Sequence, residues 1–465
     1  MTPSTYASDE IRKTKEQYLE ILRGSYFVAG FFWVFSTVGS MYLPGTKDSL
    51  ALFASMIALM VSNGVWEILT GWYADKFRRR FSISAGFFAY GLGFLIMLVA
   101  VLVPFDKDAQ ATVQLLEPRL VTWLVGVTVW SLGPALLSGA QEAWLVDRCN
   151  FLSATPPEPL NDVFKTAAKH GVISKAAGCL ICFFVLVGLG SPTNRLGLVL
   201  TAGVAALSSF SLFVYSLRLQ EEYWTDPKYQ TEESLFAFWW MGIKDLWKVP
   251  YRWFTVAFIG ATSLNYALSF TVWPYLAQLD HKDVQFILGG NTGPKLIVED
   301  RDIGFQLVIA GGIIGLELVA GFVSGAFSRR IDLIRQPRWR MPAASLMYLV
   351  PVVPLYLSFL LVSSHSTGKF LCVLIAASFF FRIAHASVFG TLNGAGQLAI
   401  ESDERRAVLV SMSSALAAFF VAALLRFCYS DEIRQGIPAF WVAIILPSIL
   451  MLAVGGYLVA RGGRS

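Results

Sequence analysis

Residues 67–80 read EILTGWYADKFRRR, and the character of the whole chain follows from them. The stretch ends one apolar run, turns within a few residues and starts the next run at Phe81. Both flanking runs reach the length of about 20 apolar residues that a helix needs to cross hydrocarbon. The loop therefore lies at a membrane face. Arg78, Arg79 and Arg80 put that face on the cytoplasmic side, because short inner loops are enriched in Lys and Arg. The stretch also has a second copy. Residues 317–330 read ELVAGFVSGAFSRR and align with it without gaps. Glu67 falls on Glu317, Gly71 on Gly321, Phe77 on Phe327, Arg79 on Arg329 and Arg80 on Arg330. One register shared by a glutamate, a glycine and two arginines marks an internal repeat, so the chain reads as two related halves.

Composition agrees with a membrane protein. The 465 residues are 55% hydrophobic and only 15% charged, with a mean hydropathy of +0.57, whereas soluble domains carry roughly 25% charged residues. The net charge of +5 sits in the loops and reports orientation, giving no reason to propose nucleic acid as a partner. Cys179 and Cys182 form a C-x-x-C pair inside an apolar run, with no histidine or second pair beside it, so helix packing is preferred over metal or redox chemistry. The first 23 residues are polar, which argues against a cleavable signal peptide. Within them Ile11, Tyr18, Leu19 and Leu22 share one helical face, suited to a helix lying on the inner membrane surface.

Twelve apolar runs can be placed, at about 24–43, 50–72, 81–103, 119–144, 166–189 and 196–216, then 252–276, 304–326, 343–363, 370–394, 407–427 and 438–460. The expected fold is an all-α integral membrane protein with twelve transmembrane helices in two six-helix halves. Both termini are expected on the cytoplasmic side, since the inner loops then hold well over twice the Lys and Arg of the outer ones. The expected organisation is an amphipathic segment 1–23, a bundle 24–216, a cytoplasmic linker 217–251, a bundle 252–460 and a tail 461–465. The linker starts acidic (Glu221, Glu222, Glu232, Glu233) and ends with Trp239, Trp240, Trp247 and Trp253 at headgroup level. The outer loop 277–303 is either a small cap or a plain variable loop.

With these spans and this loop, the chain resembles the major facilitator superfamily of secondary transporters. The family's loop signature is a glycine, an acidic residue four positions on and then basic residues, matched here by Gly71, Asp75, Lys76, Arg79 and Arg80. The run SGAQEAWLVD (Gly139, Glu142, Asp147) and the run ESDERRAVLVSMSS at 401–414 are similar to further patterns of the family. There are departures: Gly325 stands where the second copy would carry its acidic residue, the fourth run lacks an arginine in its first half, and the fifth lacks the Gly-Pro-x-x-Gly-Gly pattern of drug–proton antiporters. The resemblance implies alternating access between two bundles that rock about a central site, for which the superfamily is a standard example.

It also implies roles for particular residues. Gly71, Asp75, Lys76, Arg79 and Arg80 form a cytoplasmic gate motif, with Glu142, Asp147, Arg329 and Arg330 as partners. Asp75 either gates, by pairing with Arg79 or a neighbouring helix, or merely caps the third helix. Ionisable residues inside spans are functional candidates by default. Glu67 and Glu317 are either coupling groups or structural pairs. Arg382 and His385, at i and i+3 in the tenth run, share a face that suits a cavity, where Arg382 would hold a carboxylate or phosphate and His385 would titrate; otherwise Arg382 pairs with an acidic residue such as Glu317. Lys175 either snorkels to the inner face or lines a cavity. Phe31, Phe32, Trp33, Tyr266 and Trp273 read first as packing aromatics.

The expected function is secondary transport of a small organic molecule, coupled to protons or alternatively sodium, with efflux as the leading direction and uptake of a nutrient or siderophore-like anion as the alternative. A transporter-fold sensor that binds without transporting is the reading of another class. No phosphate-binding G-x-x-x-x-G-K-[ST] loop occurs, and no nucleophile–base or metal constellation suggests an enzyme or a cofactor. The expected setting is a monomer among the lipids of a bacterial inner membrane.

Overall fold

The computed structural model describes residues 3–41, 50–103, 118–153, 160–188, 196–222, 234–248, 251–252, 255–263 and 406–428, and the single positions 319, 323, 380 and 383. The helices with defined ends are α1 (Pro3–Met41), α2 (Leu50–Lys76), α3 (Arg79–Leu102), α4 (Pro118–Leu137), α5 (Ala140–Leu152), α6 (Asn161–Gly188), α7 (Leu196–Ser216), α8 (Leu235–Leu246) and α9 (Arg406–Cys428). The first six apolar runs fall on α1 to α7, and the eleventh falls on α9. The other runs lie wholly or largely outside the described residues. Among the described residues, four stretches are long and apolar enough to cross a membrane: α3, α4 with α5, α6 and α7.

Three features differ from the sequence reading. The fourth run is not one helix. Pro134 lies near the end of α4, and Gly139 adopts φ 71°, a left-handed conformation that side chains other than glycine resist. The helix therefore stops at Leu137 and restarts as α5, which carries Asp147 on a helix where a loop was expected. Second, residues 8–22 do not form a separate surface helix. They continue into the first span as one helix of 39 residues, about 58 Å long, against a hydrocarbon core of about 30 Å. Their apolar face is satisfied by protein: Tyr18, Ile21 and Leu22 are buried, and Tyr18 meets Phe164 of α6 edge-on at 6.2 Å. Burial, reinforced by the charge of Glu142, pushes the Tyr18 hydroxyl well above its ordinary value. Third, the central linker contains α8, opened by the Ser234 hydroxyl accepting from the Ala237 amide. Phe236, Trp240 and Trp247 are exposed there, as suits a helix at the headgroups.

Close helix contacts fix the bundle. α1 packs on α6, α3 on α4 and α7, and α2 on both α4 and α9. At the α1–α6 crossing a side chain at Gly30 would meet the Lys175 carbonyl at 2.1 Å, and one at Gly178 would meet the Phe27 carbonyl at 2.1 Å. Small residues let the two backbones touch. Cys179 and Cys182 belong to this seam, their thiols donating to the carbonyls of Gly30 and Phe31 at 3.3 and 3.8 Å. Phe31 and Phe32 are core residues, and Phe32 stacks on Trp130 at 3.5 Å. Packing is thus the role of both the C-x-x-C pair and these aromatics.

Candidate functional site

The turn between α2 and α3 consists of Phe77 and Arg78 alone. It sets Asp75 and Arg79 four residues apart on consecutive helix ends, where their side chains meet at 3.2 Å. Arg79 also pairs with Asp147 of α5 and donates to the Ala143 carbonyl at 3.1 Å. Asp75, Arg79 and Asp147 all have 0% exposure. Two carboxylates around one guanidinium therefore join α2, α3 and α5 in a dry site. Partners of this kind are costly to separate, because a buried charge left alone has no solvent to turn to. Of the other motif residues, Gly71 is buried one turn before Asp75, Lys76 lies over the Trp72 ring at 4.7 Å, and Arg80 faces the linker.

The linker's first residues are held against this loop. The Arg80 amide donates to Glu221 at 2.8 Å and its guanidinium donates to the Leu219 carbonyl at 3.3 Å, while the Trp144 indole donates to the Gln220 carbonyl at 3.1 Å. Beside them Arg148, itself buried, donates to Thr14 at 3.0 Å, Glu222 at 2.7 Å and Glu10 at 3.4 Å, and also to Gln220. The sequence reading placed Glu222 in the acidic start of the linker but gave no role to it, to Arg148 or to Glu10. The one available signal was an arginine directly after Asp147 at an inner helix end.

Glu67 has 3% exposure. It lies where α2 meets α9, a helix more than three hundred residues further along the chain. One turn earlier Gly64 admits the Phe419 ring so closely that an added side-chain carbon would sit 3.0 Å from it. The Ser411 hydroxyl of α9 donates to the Ser138 carbonyl at 3.4 Å, and the Ser138 and Ser411 side chains are hydrogen-bonding neighbours of the Glu67 carboxyl. Glu142, half-buried on α5, acts on Glu67 electrostatically.

Lys175 sits on the protein-facing side of α6, opposite the exposed Ile181 and Phe184, with its ammonium over the Trp33 ring at 5.0 Å. Both side chains are half-buried. Trp33 follows the exposed Arg23 by ten residues, about 15 Å along α1. Glu317, Arg329, Arg330, Arg382, His385, Tyr266 and Trp273 lie outside the described residues. Among the described residues no group of histidine, cysteine and carboxylate side chains is arranged to hold a metal.

Comparison with solved structures places this architecture. Over 95% of its length the chain matches 99% of a bacterial homologue of the iron transporter ferroportin in an outward-facing state, with 13% identity and a TM-score of 0.62. It matches a D-xylose–proton symporter over 96% of both chains, with 13% identity and a TM-score of 0.61. It also matches FucP, a major facilitator superfamily transporter in the outward conformation, over 95% of this chain and 99% of that one, with 13% identity and a TM-score of 0.59. The fold is therefore that of major facilitator superfamily transporters. No family model matches the sequence, and no curated protein matches it.

Proposed function

We propose that the protein is a secondary active transporter of a small organic molecule, working by alternating access between an N-terminal bundle (24–216) and a C-terminal bundle (252–460), and coupled to protons. The observation that supports this reading is the seam between α2 and α9. It joins distant parts of the chain along one helix face, where the Phe419 ring lies against Gly64 and the Ser411 hydroxyl donates to the Ser138 carbonyl. Among the described residues, the buried Asp75–Arg79–Asp147 cluster joins charges of α2, α3 and α5. Its proposed role at the gate is to hold α2 rigid, so that the face carrying Gly64 and Glu67 meets α9 in one register.

The test uses purified protein in liposomes with a pH-sensitive dye inside. Compounds are added in pools of drugs, metabolites and siderophores while proton flux is followed. Proton movement provoked by one pool is expected. Opposed flux identifies antiport, the efflux reading, and parallel flux identifies symport. Silence across all pools from folded protein would defeat proton coupling and favour a sodium-coupled carrier or a binding sensor.

One observation favours the second reading, uptake of an anion. A cation held on an aromatic ring in an apolar bundle suits a carboxylate or phosphate group of a substrate. In that case Lys175→Gln should raise the KM for the transported anion at least tenfold, while Lys175→Arg keeps most transport. Equal transport by both variants would remove Lys175 from the site.

A further inference from the structure

Two buried acceptor oxygens of α2 have no hydrogen-bond partner: Oε2 of Glu67 and Oδ1 of Asn63. Residues four apart on a helix are neighbours, so both atoms belong to one face of α2, just beside the Gly64 contact with α9. Native structures rarely leave such groups unsatisfied, and two adjacent acceptors cannot satisfy each other. Ionised, Glu67 would also set a negative charge in a dry seam beside Glu142, with the neutral Ser138 and Ser411 hydroxyls as its hydrogen-bonding neighbours. A single proton removes both problems. Placed on Oε2, it neutralises the carboxyl and turns one acceptor into a donor on the face that carries Asn63.

We propose that Glu67 holds a proton, shared with Asn63, while α2 and α9 are in contact, and that parting of this seam lets the proton go. The inference rests on the transport reading above and gives proton coupling its site. The groups facing the carboxyl are Ser138 next to the α4–α5 break, Glu142 of α5 and Ser411 of α9, with Asn63 on α2 itself. Of these, Glu142 is the ionisable one among the described residues. It is half-buried, and whenever it is ionised its negative charge favours a neutral Glu67. Closing the seam is then conditional. With the proton bound, α2 and α9 meet. Without it, a charge has to be buried to bring them together. A proton taken up on one side would be released on the other when the seam opens to water.

The experiment reads protonation directly, without any transported compound. Infrared difference spectra of the purified wild type, taken across a pH titration, should show a protonated carboxyl carbonyl band that is absent in Glu67→Gln. In Asn63→Leu the band should persist at shifted frequency, since the acceptor of its hydrogen bond is gone. Thermal melting supplies the second measurement. The folded state then binds a proton that the unfolded chain gives up at neutral pH, so wild-type stability falls as pH rises. Glu67→Gln is neutral and keeps a donor for Asn63, so it should fold and lose that Glu67-dependent slope. A carboxylate band from Glu67 throughout, as expected if the Asn63 amide were turned to donate to it, would overturn the proposal. So would saturable stabilisation by sodium that Glu67→Gln abolishes, because the site would then hold a metal cation. Substrate flux without proton flux, with the carboxyl band intact, would refute the coupling reading alone and leave the protonated seam standing.

Discussion

At the residue scale, the guanidinium of Arg79 carries the heaviest burden. It pairs with two buried carboxylates, so replacing it breaks both contacts at once, whereas replacing either acid still leaves a pair. Arg79→Met should therefore cost about 3–5 kcal/mol, seen as a large drop in melting temperature in detergent. Asp75→Asn should cost much less stability. On the gating reading, Asp75→Asn inserts normally and transports poorly, and wild-type transport by that variant would refute the role. Part of this cluster was legible. Asp75 and Arg79 declare themselves by their spacing of four, and Asp147 was found through a resemblance to a known pattern. Arg148 was not, because its partners lie near positions 10 and 220 and no local periodicity connects them. Asn63 was overlooked for a different reason: an amide in an apolar run gives no pattern until the burial of its neighbour Glu67 is known.

At the scale of elements, apolar length placed the described spans well, because the hydrocarbon thickness sets it. It was a poor guide to where helices end. Glycine and proline are tolerated inside membrane helices, so Gly133, Pro134 and Gly139 gave no sure sign of which would break the chain. Only the left-handed backbone of Gly139 distinguishes it. The amphipathic face of residues 8–22 had the opposite difficulty: the pattern was right, but lipid and protein satisfy such a face equally well. The α1–α6 crossing offers a direct check. In Gly30→Val the new side chain would run into the carbonyl of Lys175 and the amide of Cys179, neither of which can swing aside. The helices would have to separate, displacing Trp33 from Lys175. Most of the variant should elute as aggregate in size-exclusion chromatography. A monodisperse, stable Gly30→Val protein would show that the crossing is looser than described.

At the scale of the whole molecule, the contact between α2 and α9 joins distant parts of the chain, and on the proposed alternating-access reading it is where they come apart. With the five native cysteines replaced, Ser138→Cys and Ser411→Cys should be joined readily by a short thiol-specific cross-linker, given the 3.4 Å between the Ser411 hydroxyl and the Ser138 carbonyl. Transport should stop on cross-linking and return when a cleavable linker is cut. Full transport by the cross-linked protein would mean that the seam stays shut throughout the cycle. The repeat that first suggested two halves has its second copy outside the described residues, apart from positions 319 and 323. The symmetric counterpart of the Arg79 cluster is therefore an expectation drawn from Glu317, Arg329 and Arg330.

The clamp around Arg148 bears on biosynthesis. Its partners are Glu10 and Thr14 near the start of the chain, and Gln220 and Glu222 after α7. The ribosome makes α1 first, yet this clamp cannot close until residue 222 has been translated. In the interval the guanidinium, later sealed from water, stays without these partners. A nascent chain stalled before the linker therefore displays an unfinished bundle end, which chaperones and proteases can distinguish from a completed one.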